Sequence, residues 1–420
     1  MENGQAIKIT TQKDTTYKGI LTFQEQDTLF IKLSSGYNVG IDKDRIKTKE
    51  LGEKKHTQQN PQRISQDKSL PHVHIAHTGG TIASKIDYTT GAVTNAYEPE
   101  ELLTLVPEAT EKARLTASLL MNTSSEDIRF QDINTIAKHI HKKIEETDAE
   151  GIVVTLGTDT LHYVSAALAF ILGTPKKPVI LVGAQRSSDR PSSDGPDNLL
   201  SALTFITQTE WTGVAVCMHG PLTKNTCIIH KGTRVRKNHT SRRDAFTSIN
   251  DEALSIIDRE THKVLTKPPK TQPEPRLETL NEDLRIGWIK THPHMTSKDF
   301  KHHQDKDAVL IEGTGLGHTP LSAHKENNKI FEEIKLLTQN MPVVMTSQTI
   351  NGRVNMNVYT NGRNLKNTGI LGHQLDITPS TAYMKIAWLL SNHQENFKAL
   401  YKANVTGELS PTSKTHHYEL

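Results

Sequence analysis

Cysteine is nearly absent: Cys217 and Cys227 are the only two in 420 residues. That excludes a disulfide framework and implies free thiols in a reducing compartment. Also missing is any apolar run near the roughly 20 residues needed to cross a bilayer. The opening MENGQAIKIT has neither the basic nor the apolar region of a secretory signal, so a cytoplasmic chain with no membrane partner is expected. Neither charge dominates. The 50 Lys and Arg against 47 Asp and Glu leave a net +3, so any nucleic-acid contact must be local rather than a general basic coat. The histidine pairs His292/His294 and His302/His303 have no carboxylate or cysteine beside them to complete a ligand set, and no metal is expected. There is no internal repeat and no low-complexity tract beyond the linkers.

What is present divides by texture. Residues 1–50 contain TYKGILTFQEQDTLFIKLSSGYNVGID, which alternates apolar and polar positions and puts Leu29, Ile31 and Leu33 on one strand face, with Ser35 and Gly36 as a turn. Several short strands in so few residues predict a small SH3/Sm-like all-β barrel. Residues 51–70 are polar and aperiodic and are expected to be a linker. From residue 71 the pattern becomes buried-strand runs (GIVV, PVILVGA, GVAVCM, DAVLIEG) alternating with helical stretches. One such stretch, DINTIAKHIHKKIEETD, stripes Ile133, Ile136, Ala137, Ile140 and Ile144 behind an expected Asp132 N-cap. The alternation predicts an α/β body with mostly parallel sheets in two lobes, 71–266 and 283–420. The proline-rich 267–282 between them is read as a hinge.

Ligands of parallel α/β sheets sit beyond the carboxyl ends of the strands, and two glycine-containing turns fall there. HIAHTGGTIASK (74–85) ends an apolar run in Gly79, Gly80 and Thr81. GIVVTLGTDT (151–160) does the same with Thr158 and Asp159, either of which could simply cap the following helix. The first turn lacks both the GxxxxGK[ST] and the GxGxxG order, which argues against a nucleotide phosphate site. Downstream, KGTRVRKNHTSRR carries Lys231, Arg234, Arg236, Lys237, Arg242 and Arg243. It fits a solvated face, a nucleic-acid patch, or a stretch with one lysine buried as a base. A threonine hydroxyl is a poor nucleophile until a neighbour takes its proton, and a desolvated lysine beside an aspartate is one such neighbour.

In order, HTGGTIASK, TLGTDT, VGAQRSSDRPSSDGPDNL, KNHTSRRDAFTSIN and TPSTAYMKIAWLL resemble the L-asparaginase/glutaminase family across residues 71–395. YKGIL, LFIKLSSGYNVGID and HTSRRDAF further resemble those archaeal glutamyl-tRNA(Gln) amidotransferase subunits that join a small barrel to such a body. The resemblance implies that Thr81 attacks the amide carbonyl and that Thr158, Asp159 and Lys237 form a relay, with catalysis assigned to the set. Backbone N–H groups of the glycine turn are expected to stabilise the oxyanion. It also implies that Tyr88 sits on a lid and that Ser125 and Glu126 hold the amino-acid end of the substrate. Two departures stand out: Leu156 where related chains have histidine, and Ser380 where they have glutamate. The implied activity is glutamine (or asparagine) hydrolysis in a homodimer within a heterotetramer. Ammonia would pass to a companion, the E-type amidotransferase subunit, which amidates Glu-tRNA(Gln) using ATP and Mg, with no cofactor in this chain. The alternatives are a free-standing L-asparaginase, which would lack the barrel, and a non-catalytic tRNA-binding scaffold.

Overall fold

The computed structural model describes residues 3–33, 38–54, 66–80, 84–86, 93–95, 106–186, 192–322 and 324–413. At the N-terminus, strands Gln5–Thr11, Thr16–Glu25, Thr28–Leu33, Asn38–Asp42 and Ile46–Lys54 form one antiparallel sheet. Its spatial order is fourth, third, second, first, fifth. The fifth strand runs on to Lys54, past the boundary expected at residue 50, because Leu51 and Lys54 still pair with Ile7 and Gln5 of the first. The period-2 alternation puts Ile7, Ile9, Leu21, Leu29, Ile31 and Ile41 into a core of their own, with Leu33 packed at its edge. Gly19 is required there, because a Cβ at that position would run into the Lys32 carbonyl on the neighbouring strand. Ser35 and Gly36 lie outside the described residues.

The body is built on an eight-stranded sheet. Five strands are parallel, in the order Gly213–His219, Pro178–Val182, Gly151–Thr155, His72–His77 and Arg114–Leu119. Thr226–Lys231, Ser255–Asp258 and Lys263–Val264 extend it antiparallel. Helices Phe130–Glu146 and Leu161–Leu172 share one hydrophobic core with the sheet, and Gly195–Gln208 shares the other. In the first helix Ile133, Ile136, Ala137 and Ile140 are buried, as their spacing predicts. Asp132, expected as its N-cap, is instead its third residue: the carboxylate reaches back to accept the Arg129 N–H at 2.8 Å, so Arg129 takes the cap position.

The C-terminal lobe has three parallel strands, Ile286–Lys290, Ala308–Gly313 and Val343–Ser347. Its helix Pro379–Asn392 packs on Leu161–Leu172 of the first lobe, and Ala308, Leu310 and Val344 belong to the same core as Phe170 and Val216. One continuous core therefore joins the lobes. The segment expected as a hinge is fastened along its length. Thr271 Oγ1 accepts the Thr212 N–H at 2.9 Å, Arg276 donates to the Phe170 carbonyl at 2.8 Å, and the Arg276 guanidinium lies 4.8 Å from the Trp388 ring centre. No helix among the described residues is long and apolar enough to cross a membrane.

Candidate active site

Strands His72–His77 and Gly151–Thr155 are parallel neighbours with His77 opposite Thr155, so the two glycine turns leave the sheet side by side. They are bonded together at once. Both the N–H and the hydroxyl of Thr78 donate to the Thr155 carbonyl, at 3.2 and 2.7 Å, and His77 Nδ1 sits 2.6 Å from Thr155 Oγ1. Gly79 and Gly80 have φ of 100° and 87°, a region open to glycine and costly for other residues. A Cβ on Gly80 would collide with the Gly157 amide nitrogen, so the close approach of the two turns also demands glycine. Thr81, the next residue, and Tyr88 lie outside the described residues.

The second turn meets a lysine from a distant strand. Lys237 ends the short strand Val235–Lys237 and extends its ammonium to donate to Thr158 Oγ1 at 2.8 Å and to Asp159 Oδ1 at 2.7 Å. The lysine side chain is 9% exposed while that of Asp159 is 67% exposed, so one end of the relay is shielded and the other meets solvent. Neither residue of the pair caps the following helix. Its N-cap is Thr160, whose hydroxyl donates away from the helix to the Ser125 carbonyl at 2.7 Å. This overturns the capping reading and leaves Thr158 and Asp159 committed to the lysine.

Ser125 is buried against this turn: a Cβ on Gly157 would stand 2.8 Å from its Oγ. Glu126 follows on the same short 3-10 turn, Ser125–Asp127, and is exposed. The structure thus brings Thr158, Asp159, Lys237 and Ser125 together, while Glu126 is shown only as the exposed residue next to Ser125. Leu156, at the first departure, is fully buried in the core and donates its N–H to the Val182 carbonyl at 2.9 Å. Ser380, at the second, is buried in the first turn of Pro379–Asn392, with its Oγ 3.3 Å from the Thr378 hydroxyl.

The basic run separates into different jobs. Arg234 is 1% exposed and ties the lobes by donating to the Gly407 carbonyl at 3.1 Å and the Ser410 hydroxyl at 2.8 Å, with Asp376 as its ion partner at 3.3 Å. Lys231 pairs with Asp251 at 2.7 Å and Arg242 with Asp244 at 2.7 Å. A uniform nucleic-acid patch is therefore not what the run forms. No motif pointed to His162, at the start of the helix after Asp159. Burial, reinforced by the Arg236 and Lys237 charges and opposed by Asp159, lowers its pKa to about 4, so it stands neutral beside the relay at physiological pH. Asp194 and Asn198, both fully buried behind Thr158, fall inside the VGAQRSSDRPSSDGPDNL motif without a role assigned to them; a carboxylate and an amide four apart at a helix start are the signal there. Cys217 and Cys227 are both free and buried. Among the described residues no group of three or more His, Cys, Asp or Glu could hold a metal ion.

Comparison with known proteins gives this arrangement its context. Residues 72–270 match the family "Asparaginase, N-terminal", residues 285–402 "Glutaminase/Asparaginase C-terminal domain", and residues 1–51 "GatD N-terminal domain". The chain is 40% identical over 423 residues to the D-type subunit of glutamyl-tRNA(Gln) amidotransferase from Methanococcus maripaludis, covering 98% of each chain. It is 39% identical over 432 residues to the corresponding protein of Pyrococcus abyssi, covering 99% of this chain and 96% of that one. Among solved structures, the thermostable L-asparaginase of Thermococcus kodakarensis superposes with a TM-score of 0.72 at 29% identity, covering 81% of this chain and all of that one. L-asparaginase I of Vibrio cholerae gives 0.67 at 27% identity, covering 81% and 99%. Asparaginases thus account for the two-lobed body, and full-length likeness with the N-terminal domain included is found in the amidotransferase subunits. The chain belongs to the D-type subunit family of glutamyl-tRNA(Gln) amidotransferases, an asparaginase/glutaminase-type amidohydrolase body with an antiparallel β-domain at its N-terminus.

Proposed function

We propose that this chain hydrolyses the side-chain amide of glutamine, and of asparagine where it is offered, and delivers the ammonia to a companion E-type subunit. That companion converts Glu-tRNA(Gln) to Gln-tRNA(Gln) with ATP and Mg, in a heterotetramer built on a homodimer of this chain. The observation that carries the reading is the Lys237 ammonium held between Thr158 and Asp159, at a turn packed against the Gly79–Gly80 turn, in a chain collinear with the D-type amidotransferase proteins. A threonine oxygen attacks the amide carbon, the C–N bond breaks with a proton delivered to the departing nitrogen, and water then cleaves the resulting ester to free the acid. At 2.8 Å the Thr158–Lys237 contact passes a proton in either direction, and Asp159 holds the lysine to the threonine. Thr81 supplies the hydroxyl from the neighbouring turn, Tyr88 covers it, and Ser125 with Glu126 holds the α-amino-acid end of the substrate.

A free-standing asparaginase shares the relay, but the N-terminal β-domain and the end-to-end likeness to the D-type proteins favour the amidotransferase role. The test measures ammonia release from glutamine by the chain alone, with its companion, and with companion plus Glu-tRNA(Gln). A rate that rises with companion and charged tRNA is expected. Equal rates in all three states would favour the free-standing enzyme. No ammonia from glutamine or asparagine in any of the three would leave only the tRNA-binding scaffold.

A further inference from the structure

Behind Thr158 lies a buried set of polar groups that the reaction scheme does not use. Strand Pro178–Val182 ends beside the catalytic turn, and a Cβ on its next residue, Gly183, would stand 2.7 Å from Thr158 Cγ2 and 2.8 Å from the Leu156 carbonyl. Thr158 therefore packs its methyl directly on the Gly183 backbone. That backbone is held from the far side. The Asn198 amide donates to the Gly183 carbonyl at 2.9 Å and to Asp194 Oδ2 at 3.1 Å. The Asp194 carboxylate accepts the Gln185 N–H at 3.0 and 3.1 Å and the Arg186 N–H at 3.0 Å. The Gly183 carbonyl and the Asp194 carboxylate can only accept, so Asn198 turns its N–H₂ group to them and its Oδ1 lies 3.5 Å from the Cys227 sulfur. Asp194, Asn198 and Cys227 are all fully buried.

We propose that Asp194 and Asn198 are positioning residues for amide hydrolysis. They fix residues 183–186 as the wall that seats the Thr158 methyl and so keep the Thr158 hydroxyl on Lys237. A threonine then does what a serine cannot. Its second Cβ substituent transmits the wall's position to the oxygen, since χ1 places methyl and hydroxyl together. The inference rests on the proposed role of Thr158.

The test is a double-mutant cycle in the full-length chain assayed with its companion and Glu-tRNA(Gln), the state in which the highest rate is expected. Ammonia release from glutamine is measured for the native protein, Asn198→Ala, Thr158→Ser and the double variant, with Thr158→Ala as reference and circular dichroism to confirm folding. Misplacement of a reacting group by about 1 Å can cost roughly a hundredfold. Asn198→Ala should therefore lower kcat about 10- to 100-fold with KM little changed in the threonine background. In the serine background, where the transmitting methyl is gone, the further loss should be under about threefold. Equal losses in both backgrounds would overturn the positioning role and leave the Thr158 assignment standing. Normal turnover by both Thr158→Ser and Thr158→Ala would remove assignment and inference together. Should Asn198→Ala fail to fold or Thr158→Ser turn over too slowly to measure, methyl-labelled threonine NMR on the near-isosteric Asp194→Asn protein supplies the answer. The Thr158 Cγ2 resonance, identified by its disappearance in Thr158→Ser, should shift toward rotamer averaging, and an unmoved resonance would refute the inference.

Discussion

Replacing Lys237 by Met tests the proposed relay separately from the stability of the fold. The thioether side chain preserves the volume of the aliphatic stem but removes the group that donates to Thr158 at 2.8 Å and to Asp159 at 2.7 Å. On the stability side little is lost. Asp159 is 67% exposed and solvates freely when its partner goes, so the ion pair is worth no more than about 1 kcal/mol. In a chain of this size that is a shift of about 2–4 °C in melting temperature or less. On the catalytic side the loss is of proton transfer, typically about 10²–10⁴-fold, and a loss of roughly 10³-fold corresponds to about 4 kcal/mol of transition-state stabilisation. The expected outcome is thus ammonia release reduced about a thousandfold in a protein whose thermal melt is nearly native. Both are measured on one preparation, with Lys237→Arg as a control that keeps charge but not geometry. Near-normal turnover by Lys237→Met would refute the relay; a melt lowered by tens of degrees would show that the lysine is structural first.

Three further outcomes follow from the packing. Gly80→Ala forces a Cβ into the Gly157 amide at φ 87°, so ammonia release should fall about a hundredfold; unchanged turnover would show that the two turns need not touch. Lys385 and Glu408 form a fully buried ion pair at 2.5 Å, with the lysine also donating to the Tyr401 and Ala403 carbonyls. Lys385→Met should cost about 3–5 kcal/mol in urea unfolding because Glu408 keeps an uncompensated charge, and a loss below about 1 kcal/mol would contradict this. Burial lowers the pKa of His77 and His162 to about 4 and of His74 and His230 to about 3, from 6.5. The unfolded chain therefore binds more protons below about pH 6.5. The stability these histidines contribute is complete above that pH and is lost on acidification, by up to about 1.4 kcal/mol per pH unit for each. Urea midpoints measured between about pH 7 and 4.5, where ordinary carboxylates still contribute little, should fall steadily; a flat profile would count against neutral burial.

The wall behind Thr158 and the Lys237 relay also bear on the family's departures. Leu156 fills a fully buried core position directly before Gly157, where a histidine would bring polar nitrogens needing partners, and its backbone alone ties the turn to Val182. The leucine is compatible with the turn because the turn is held by backbone bonds and by Gly157's contact with Ser125, not by the side chain at 156.

Local pattern was enough for much of this protein. Alternation along the N-terminal strands determined which side chains, Ile7 to Ile41, would form the core of the first sheet. Apolar runs bounded by glycine marked the parallel strands, and the ordered set of motifs pointed to Thr158, Asp159 and Lys237 although 78 residues separate Asp159 from Lys237. Strands and turns are legible because period and turn chemistry act over a few residues, whereas the pairing of Lys237 with Thr158 and Asp159 was implied by the family resemblance and not by any local pattern. Tertiary structure alone decided the rest. Whether the basic run was a surface or a set of separate tethers depended on the C-terminal lobe covering Arg234, and whether 267–282 could flex depended on Thr212, Phe170 and Trp388 being there to hold it. The same holds for Asn198, whose role exists only because Gly183 comes to lie beside it. Burial and hydrogen bonding between distant segments are properties of the folded contact set, and no local pattern encodes which partner a buried polar group will meet.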